Sequence, residues 1–266
     1  MKSKITFYVG LLTVLLAGTI TVQAQATTTS FNILEYEFMT GSTEAFSASI
    51  PENPQYNMAA AGDTYYLRGN TGLPFGAATN TDNMNAAFGV GNWTFDTFQA
   101  ADPNVVFDSA SRFVYLDGSG PNEPAMFTFF STNQTLIENW VSNGGILLFN
   151  SAANNSGTFS MGFGGTTLIR TGSSPSNSVT VLNPAYPAIV GPNLPTTVSM
   201  TGGSWAHSDI DGVGLTDIVI KTGDPTISHL AQKDFGSGVV VFGSMTPTQF
   251  HDPDPQAENF KVNLLI

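Results

Sequence analysis

The spacing of apolar and polar residues predicts strands that are separated by helices. Two stretches have the β-branched and aromatic content of strands, Phe31–Phe38 and Trp93–Phe98. Arg112–Gly118 predicts another strand, and in residues 135–145 apolar residues recur at helical spacing before a glycine pair. Ile146–Phe149 is apolar at every position, as a central parallel strand covered on both faces requires. Strand, helix and buried strand together predict a βαβ unit.

The second half of the chain has a different pattern. Residues 156–178 are rich in Gly and Ser, which is typical of a lid, an Ω-loop, a mobile insertion or a plain surface loop. Short strands are predicted at 178–182 and 196–200. Three strand-like runs then follow and predict an antiparallel meander or hairpin added to the sheet, Thr216–Thr222, Thr226–Asp234 and Gly236–Ser244. A helix begins near Ala257 with no terminator after Ile266, so we expect the chain to continue beyond this point.

The N-terminus has the pattern of an export signal. Lys2 and Lys4 precede the apolar run Ile5–Ile20, and Val22–Ala26 offers small residues where a signal peptidase cleaves. We therefore expect residues 1–26 to be a signal peptide and 27–266 to form a single domain that is secreted, periplasmic or at the cell surface. The alternative is an uncleaved membrane anchor. The mature protein has no other apolar stretch long enough to span a membrane.

Composition excludes several classes of function. Without the two leader lysines the chain has six basic and twenty acidic residues, a formal charge of −14. Nucleic acids and anionic membranes need clustered Lys and Arg, so neither is an expected partner. The chain has no cysteine, which excludes disulfides and thiolate chemistry, and an exported chain of this kind must rely on its core.

The order of these elements resembles the class I glutamine amidotransferase-like superfamily, and within it the ThuA-like and related exported branches. The resemblance covers roughly Ile33 to Ile266 as an order of elements. Pro187–Gly191 is similar to the P-I-x-x-G segment of these proteins, and Gly236–Gly243 to their G-x-G-x-V-V-x-x-G strand. The resemblance implies a flavodoxin-like three-layer α/β sandwich. Its central sheet would be mostly parallel, with an antiparallel C-terminal extension.

The turn after the predicted central strand departs from the family. Amidotransferases carry a cysteine there in a glycine-flanked elbow, whereas this chain has Phe149–Asn154 without cysteine or glycine. Glutaminase chemistry is therefore excluded. Some relatives use serine, which would make Ser151 the nucleophile, His207 the base, and Asp209 or Asp211 the orienting carboxylate. The simpler interpretation is that Ser151 caps a following helix or forms a turn.

Ligands of open α/β sheets bind beyond the carboxyl ends of the strands. The residues that we expect near this rim as ligand contacts are Asn150, Asn154, Trp205 and His251. Trp205 is flanked by Gly, Ser and His, so its ring could be exposed and could pack on a sugar. A polysaccharide or a small molecule is therefore the expected partner.

Two acidic segments raise the question of a metal. Residues 209–214 (DIDGVG) and 251–255 (HDPDP) each place oxygen ligands close together. The first lacks the terminal glutamate of a calcium loop, and ordinary Asx-turns explain both. No metal site and no cofactor are predicted. Two classes of function stay open, a non-catalytic binding or scaffold module and a serine- or metal-dependent hydrolase of a sugar, ester or peptide.

Overall fold

The structure is a computed structural model that describes residues 23–24, 30–37, 42–49, 63–171 and 176–266. Backbone contacts divide the chain into two units, Met1–Pro54 and Gln55–Ile266. Almost all of the expected signal peptide lies outside the described residues. The single domain expected for 27–266 stays a prediction.

In the first unit, the described strands form an antiparallel sheet in the order β1-β2-β3. These strands are β1 (Gln23–Ala24), β2 (Ser30–Glu37) and β3 (Ser42–Ser49). β2 confirms the strand predicted at Phe31–Phe38.

The second unit is an α/β fold built on one large mixed sheet, with 13 strands among the described residues. Its strands are β4 (Asp63–Arg68), β5 (Thr94–Thr97), β6 (Ser111–Asp117), β7 (Ile146–Asn150), β8 (Ser156–Gly162), β9 (Thr166–Thr171), β10 (Ser176–Val181), β11 (Ser199–Ala206), β12 (Ser208–Asp211), β13 (Thr216–Lys221), β14 (Asp224–Phe235), β15 (Gly238–Gly243) and β16 (His251–Asp252). Its α-helices are α1 (Thr79–Phe88), α2 (Pro103–Val106), α3 (Glu123–Ser142), α4 (Pro187–Val190) and α5 (Gln256–Leu265).

The prediction of a mostly parallel sheet is wrong. The strands β15, β7, β6, β4 and β5 are neighbours in that order and are parallel, whereas the path continues from β15 through β14, β13, β10, β11 and β16 with antiparallel pairs. The reason lies in the connections. The tight turns from β13 to β14 and from β14 to β15 allow only antiparallel pairing, since parallel neighbours need a long crossover. These pairs confirm the antiparallel meander predicted for this region.

The predicted βαβ unit is confirmed, because β6 and β7 are parallel neighbours joined by α3. Side chains of β7 alternate between two buried clusters. Leu147 and Phe149 pack with α3, whereas Leu148 packs with α1 and α5 on the other face. Burial on both faces explains why Ile146–Phe149 is apolar throughout.

The Gly- and Ser-rich segment is not a plain loop, because β8 and β9 form an antiparallel hairpin there. Apolar residues at alternate positions, Phe159, Met161 and Phe163, pack toward the α3 side of the core. Phe127 of α3 stacks on Phe159 with ring centroids 3.4 Å apart. The high glycine content masked this period-two pattern.

The turn between α3 and β7 generates a first prediction. A methyl group on Gly145 would overlap the Trp140 indole, whereas one on Gly203 would meet no atom within 4 Å. Because Trp140 is buried and packed against Phe107, it cannot yield freely. We expect Gly145→Ala to lower the free energy of unfolding by about 1–3 kcal/mol, the usual cost of overpacking. Urea unfolding of this variant beside Gly203→Ala measures the effect, and equal stability of the two would contradict it.

Candidate functional site

Strand register brings a row of residues to the carboxyl ends of the parallel strands. Asp117 of β6 pairs with Asn150 of β7, and Asn150 pairs with Gly243 of β15. Arg68 of β4 lies level with Asp117. The chain leaves each of these strands at the same edge, where ligands bind in open α/β sheets. This edge, with the loops that follow Asp117, Asn150 and Gly243, is called the rim below.

Asn150 ties the ends of β7 and β15 together. Its Oδ1 accepts a hydrogen bond from the backbone N–H of Met245 at 2.9 Å, and its Nδ2 donates to the Met245 carbonyl at 2.9 Å. Nδ2 also donates to Ser119 Oγ at 3.1 Å. The side chain is fully buried. Its amide therefore extends the backbone pairing beyond the end of the strand and is not presented to a ligand.

Ser151 is fully buried and bonded to its neighbours. Its Oγ donates to the Gly118 carbonyl at 3.2 Å, and its N–H donates to the Gly243 carbonyl at 2.8 Å. The simpler interpretation of the sequence expected Ser151 to cap a helix or to form a turn. The next regular element is β8, so Ser151 caps no helix and lies in a turn. The hydroxyl instead joins the turns after β6 and β7.

His207 lies at the rim, but it pairs with Ser204 and not with Ser151. The His207 Nε2 lies 2.6 Å from Ser204 Oγ. The backbone N–H of His207 donates to the Ser244 carbonyl at 3.2 Å. Burial lowers the pKa of His207, and a hydrogen bond to the backbone of Ala153 raises it. Both His207 and Ser204 are half-buried.

Asp209 lies beside a different histidine. Its Oδ1 is 3.9 Å from His229 Nδ1, which is itself 2.9 Å from the Ser208 carbonyl. His229 is buried, and its Nε2 lies 2.7 Å from Ser176 Oγ. Burial is the main cause that raises the pKa of Asp209. The side chains of Ser151, His207 and Asp209 therefore contact different partners, which are the Gly118 carbonyl, Ser204 and His229. Asp211, the alternative carboxylate, is exposed at the end of β12.

The expected ligand contacts differ in exposure. Trp205 is 0% exposed, so the flat face expected to hold a sugar is not available. Its indole stacks on His251 with centroids 4.9 Å apart, and His251 Nε2 lies 2.9 Å from Thr246 Oγ1. Trp205 is buried because it packs in the apolar cluster on the face of the sheet that α5 covers. Of the four expected ligand contacts, Asn154 is the one that is exposed to solvent.

A second polar network lies beneath the rim. Buried Asp117 accepts hydrogen bonds from Tyr66 Oη at 3.1 Å and Asn80 Nδ2 at 2.7 Å. Lys261 of α5 is buried, and its Nζ donates to Tyr115 Oη at 3.1 Å. Burial lowers the pKa of Lys261 to about 8, while the charge of Asp117 raises it. These groups fasten α1 and α5 to the strand ends.

The sequence analysis did not predict Ser204, Ser176 and His229 as partners in serine–histidine contacts. Ser204 stands three residues before His207, a spacing that an extended strand would place on opposite faces. The irregularity at the β10–β11 pairing between Ser176 and Ser178 lies beside this segment. The Ser176–His229 pair joins residues 53 positions apart, and only the sheet topology brings them together.

No protein-family model matches the chain. A curated relative, an uncharacterized protein from Clostridium acetobutylicum, is 28% identical over 135 residues, which is 49% of this chain and 13% of the relative. Among solved structures, a β-galactosidase from Bacillus circulans sp. alkalophilus gives a TM-score of 0.44 at 10% identity, covering 76% of this chain and 30% of that one. A putative ThuA-like protein from Parabacteroides merdae gives 0.40 at 13% identity, covering 77% and 88%.

Membrane-spanning helices and metal clusters are both absent from the part of the chain that the structure describes. No helix within these residues combines the length and apolar character that crossing a bilayer requires. Within the same residues, no group of three or more His, Cys, Asp and Glu side chains is placed to hold a metal ion.

The Asn150 contacts generate a second prediction. Asn150→Ala would leave the buried N–H and carbonyl of Met245 without these partners, and each lost partner costs about 1–3 kcal/mol. We expect the free energy of unfolding to fall by about 3 kcal/mol in total. Asn154→Ala is the matched control, because exposed substitutions stay within about 0.5 kcal/mol of the wild type. Chemical denaturation of both variants measures this free energy. An Asn150→Ala protein as stable as the wild type would contradict the structural role of Asn150.

The buried histidines generate a third prediction. Burial lowers the pKa of His229 to about 4 and that of His251 to about 3, both below the ordinary 6.5. The unfolded chain therefore binds protons that the folded protein excludes. The contribution of these two histidines to the free energy of unfolding is fully present above pH 6.5. It is lost as the pH decreases toward 4, by up to about 1.4 kcal/mol per pH unit for each histidine.

Urea titrations between pH 7.5 and 4.5 measure this slope. In a His251→Phe variant the slope should become shallower, whatever the variant's stability at pH 7.5. An unchanged slope would show that His251 does not contribute to the pH dependence.

Proposed function

We propose that this chain is a binding or scaffold module whose strand-end turn after β7 has a structural and not a catalytic role. The observation that carries the proposal is the complete burial of Asp117, Ser119, Asn150 and Ser151 at the rim. Asn150 and Ser151 hydrogen-bond to Ser119 and to neighbouring backbone, and Asp117 accepts hydrogen bonds from Tyr66 and Asn80. A nucleophile must contact its substrate, and a hydroxyl that is buried and donates to a carbonyl does not.

We propose further that the parallel part of the sheet derives from a flavodoxin-like, amidotransferase-like ancestor of the ThuA-like kind. Numbered along the chain, the parallel strands β5, β4, β6, β7 and β15 lie in the order 2-1-3-4-5, which is the flavodoxin-like order. The motifs Pro187–Gly191 and Gly236–Gly243 support the same ancestry. The antiparallel strands would then be an addition to one edge of this sheet.

Export and ligand class are also part of the proposal. The basic start and apolar run of residues 1–26 support a secreted, periplasmic or cell-surface protein. The match spans 13% of the length of the curated relative, so a module within a longer protein is consistent with this comparison. A ligand would contact exposed rim residues such as Asn154. The buried Trp205 gives no support to stacking on a sugar.

A hydrolase is the second candidate, and one observation favours it. The short contact between Ser204 Oγ and His207 Nε2 has the geometry of a serine and its base. This candidate differs from the hydrolase expected from the sequence, in which Ser151 is the nucleophile.

The role of the turn after β7 is tested with Ser151→Ala. We expect this variant to keep whatever turnover the wild type shows on chromogenic esters, peptides and glycosides, and to keep its binding on an oligosaccharide array. Asn154→Ala provides the comparison for binding, because Asn154 is exposed at the same turn. Loss of turnover in a Ser151→Ala protein with an unchanged melting temperature would contradict the proposal.

A further inference from the structure

Two serine–histidine pairs occur in the described part of the second unit, and they differ in access. Ser176 Oγ lies 2.7 Å from His229 Nε2, but both residues are buried. Ser204 Oγ lies 2.6 Å from His207 Nε2, and both residues are half-buried at the rim. Only the second pair combines hydrogen-bond distance with access from solvent.

The surroundings of His207 suit a general base. Burial is the main cause that lowers the pKa of His207, and a lower pKa favours the neutral imidazole, which is the form that can accept a proton. The backbone N–H of His207 donates to the Ser244 carbonyl and anchors the residue to the turn after β15.

An apolar wall stands beside this pair. The Phe75 ring packs edge-on against His207 with centroids 5.1 Å apart, and against Phe250 at 6.2 Å. Phe75 has a φ of 48°, a left-handed conformation that costs a non-glycine residue energy and that concentrates at functional sites. Phe75 and Phe250 are both half-buried, as His207 is.

From this geometry we propose that Ser204 is a nucleophile, with His207 as its general base, that accepts acyl groups from carboxylic esters with an apolar acyl chain. The inference rests on the hydrolase named as the second candidate function and adds its nucleophile, base and substrate class, whereas the structural role of the turn after β7 does not depend on it. Phe75 and Phe250 would contact the acyl chain.

The reaction uses the ester and water alone. Ser204 Oγ attacks the ester carbonyl carbon while its proton passes to His207 Nε2. The tetrahedral adduct collapses by breaking the bond to the alkoxy oxygen, which leaves as an alcohol with the proton from His207. Water, deprotonated by His207, then releases the carboxylic acid and restores the Ser204 hydroxyl.

The experiment is covalent labelling of the folded protein with an alkyl fluorophosphonate, with the adduct located by tandem mass spectrometry. We expect one adduct per chain, at Ser204. The adduct should be absent from Ser204→Ala and should form at least about 100-fold more slowly in His207→Gln, the range for loss of a general base. Ser176→Ala is the matched control, because Ser176 has the same kind of contact but is buried, and it should label like the wild type.

A second measurement covers the case in which Ser204→Ala does not fold. The chain has no cysteine, so Ser204→Cys introduces a single thiol of nearly the same shape. Iodoacetamide should alkylate this thiol faster than a free thiol and should lose that advantage when His207→Gln is added. The proposal is overturned if the wild type gives no adduct at Ser204, if His207→Gln labels at the wild-type rate, or if the introduced thiol reacts equally with and without His207.

Discussion

The paired hydrogen bonds between Asn150 and the backbone of Met245 hold the rim of this protein together. They continue the β7–β15 ladder one step beyond the last strand residues, where the sheet changes from parallel strands to loops. Gly243 permits this arrangement, since a side chain there would lie 2.6 Å from Asn150 Oδ1. The Ser151 N–H and hydroxyl then bond to the Gly243 and Gly118 carbonyls. A turn that would carry a nucleophile in an enzyme is thus filled by contacts within the protein.

The sequence was informative where a pattern depends on local neighbours. Uniformly apolar Ile146–Phe149 predicted a strand covered on both faces, and the glycine pair at 144–145 marked the end of α3 correctly. The same local reasoning failed for Trp205. Its neighbours in sequence are small or polar, whereas its neighbours in space include apolar side chains of the strands and of α5. The neighbours in space determine whether the ring is buried.

Long-range pairing explains the other differences. A local pattern can mark one buried parallel strand, but it does not give the share of parallel pairs in a whole sheet. The mixed character of this sheet follows from which connections are short. His207 and Asp209 stand close together in sequence, yet one faces Ser204 at the rim and the other lies beside His229. The Ser204–His207 contact depends on the path of β11 into β12, which residue types alone do not determine.

Amide hydrogen exchange at Met245 and Ser151 tests the central claim most directly. The Met245 N–H is bonded to Asn150 Oδ1 and the Ser151 N–H to the Gly243 carbonyl, both in buried surroundings. If these contacts hold the rim closed, both amides should exchange only through global unfolding, with the protection of core strand amides such as Leu148. Exchange of Met245 and Ser151 through local opening, at free energies several kcal/mol below that of the core, would show that the rim opens by itself and would contradict the account.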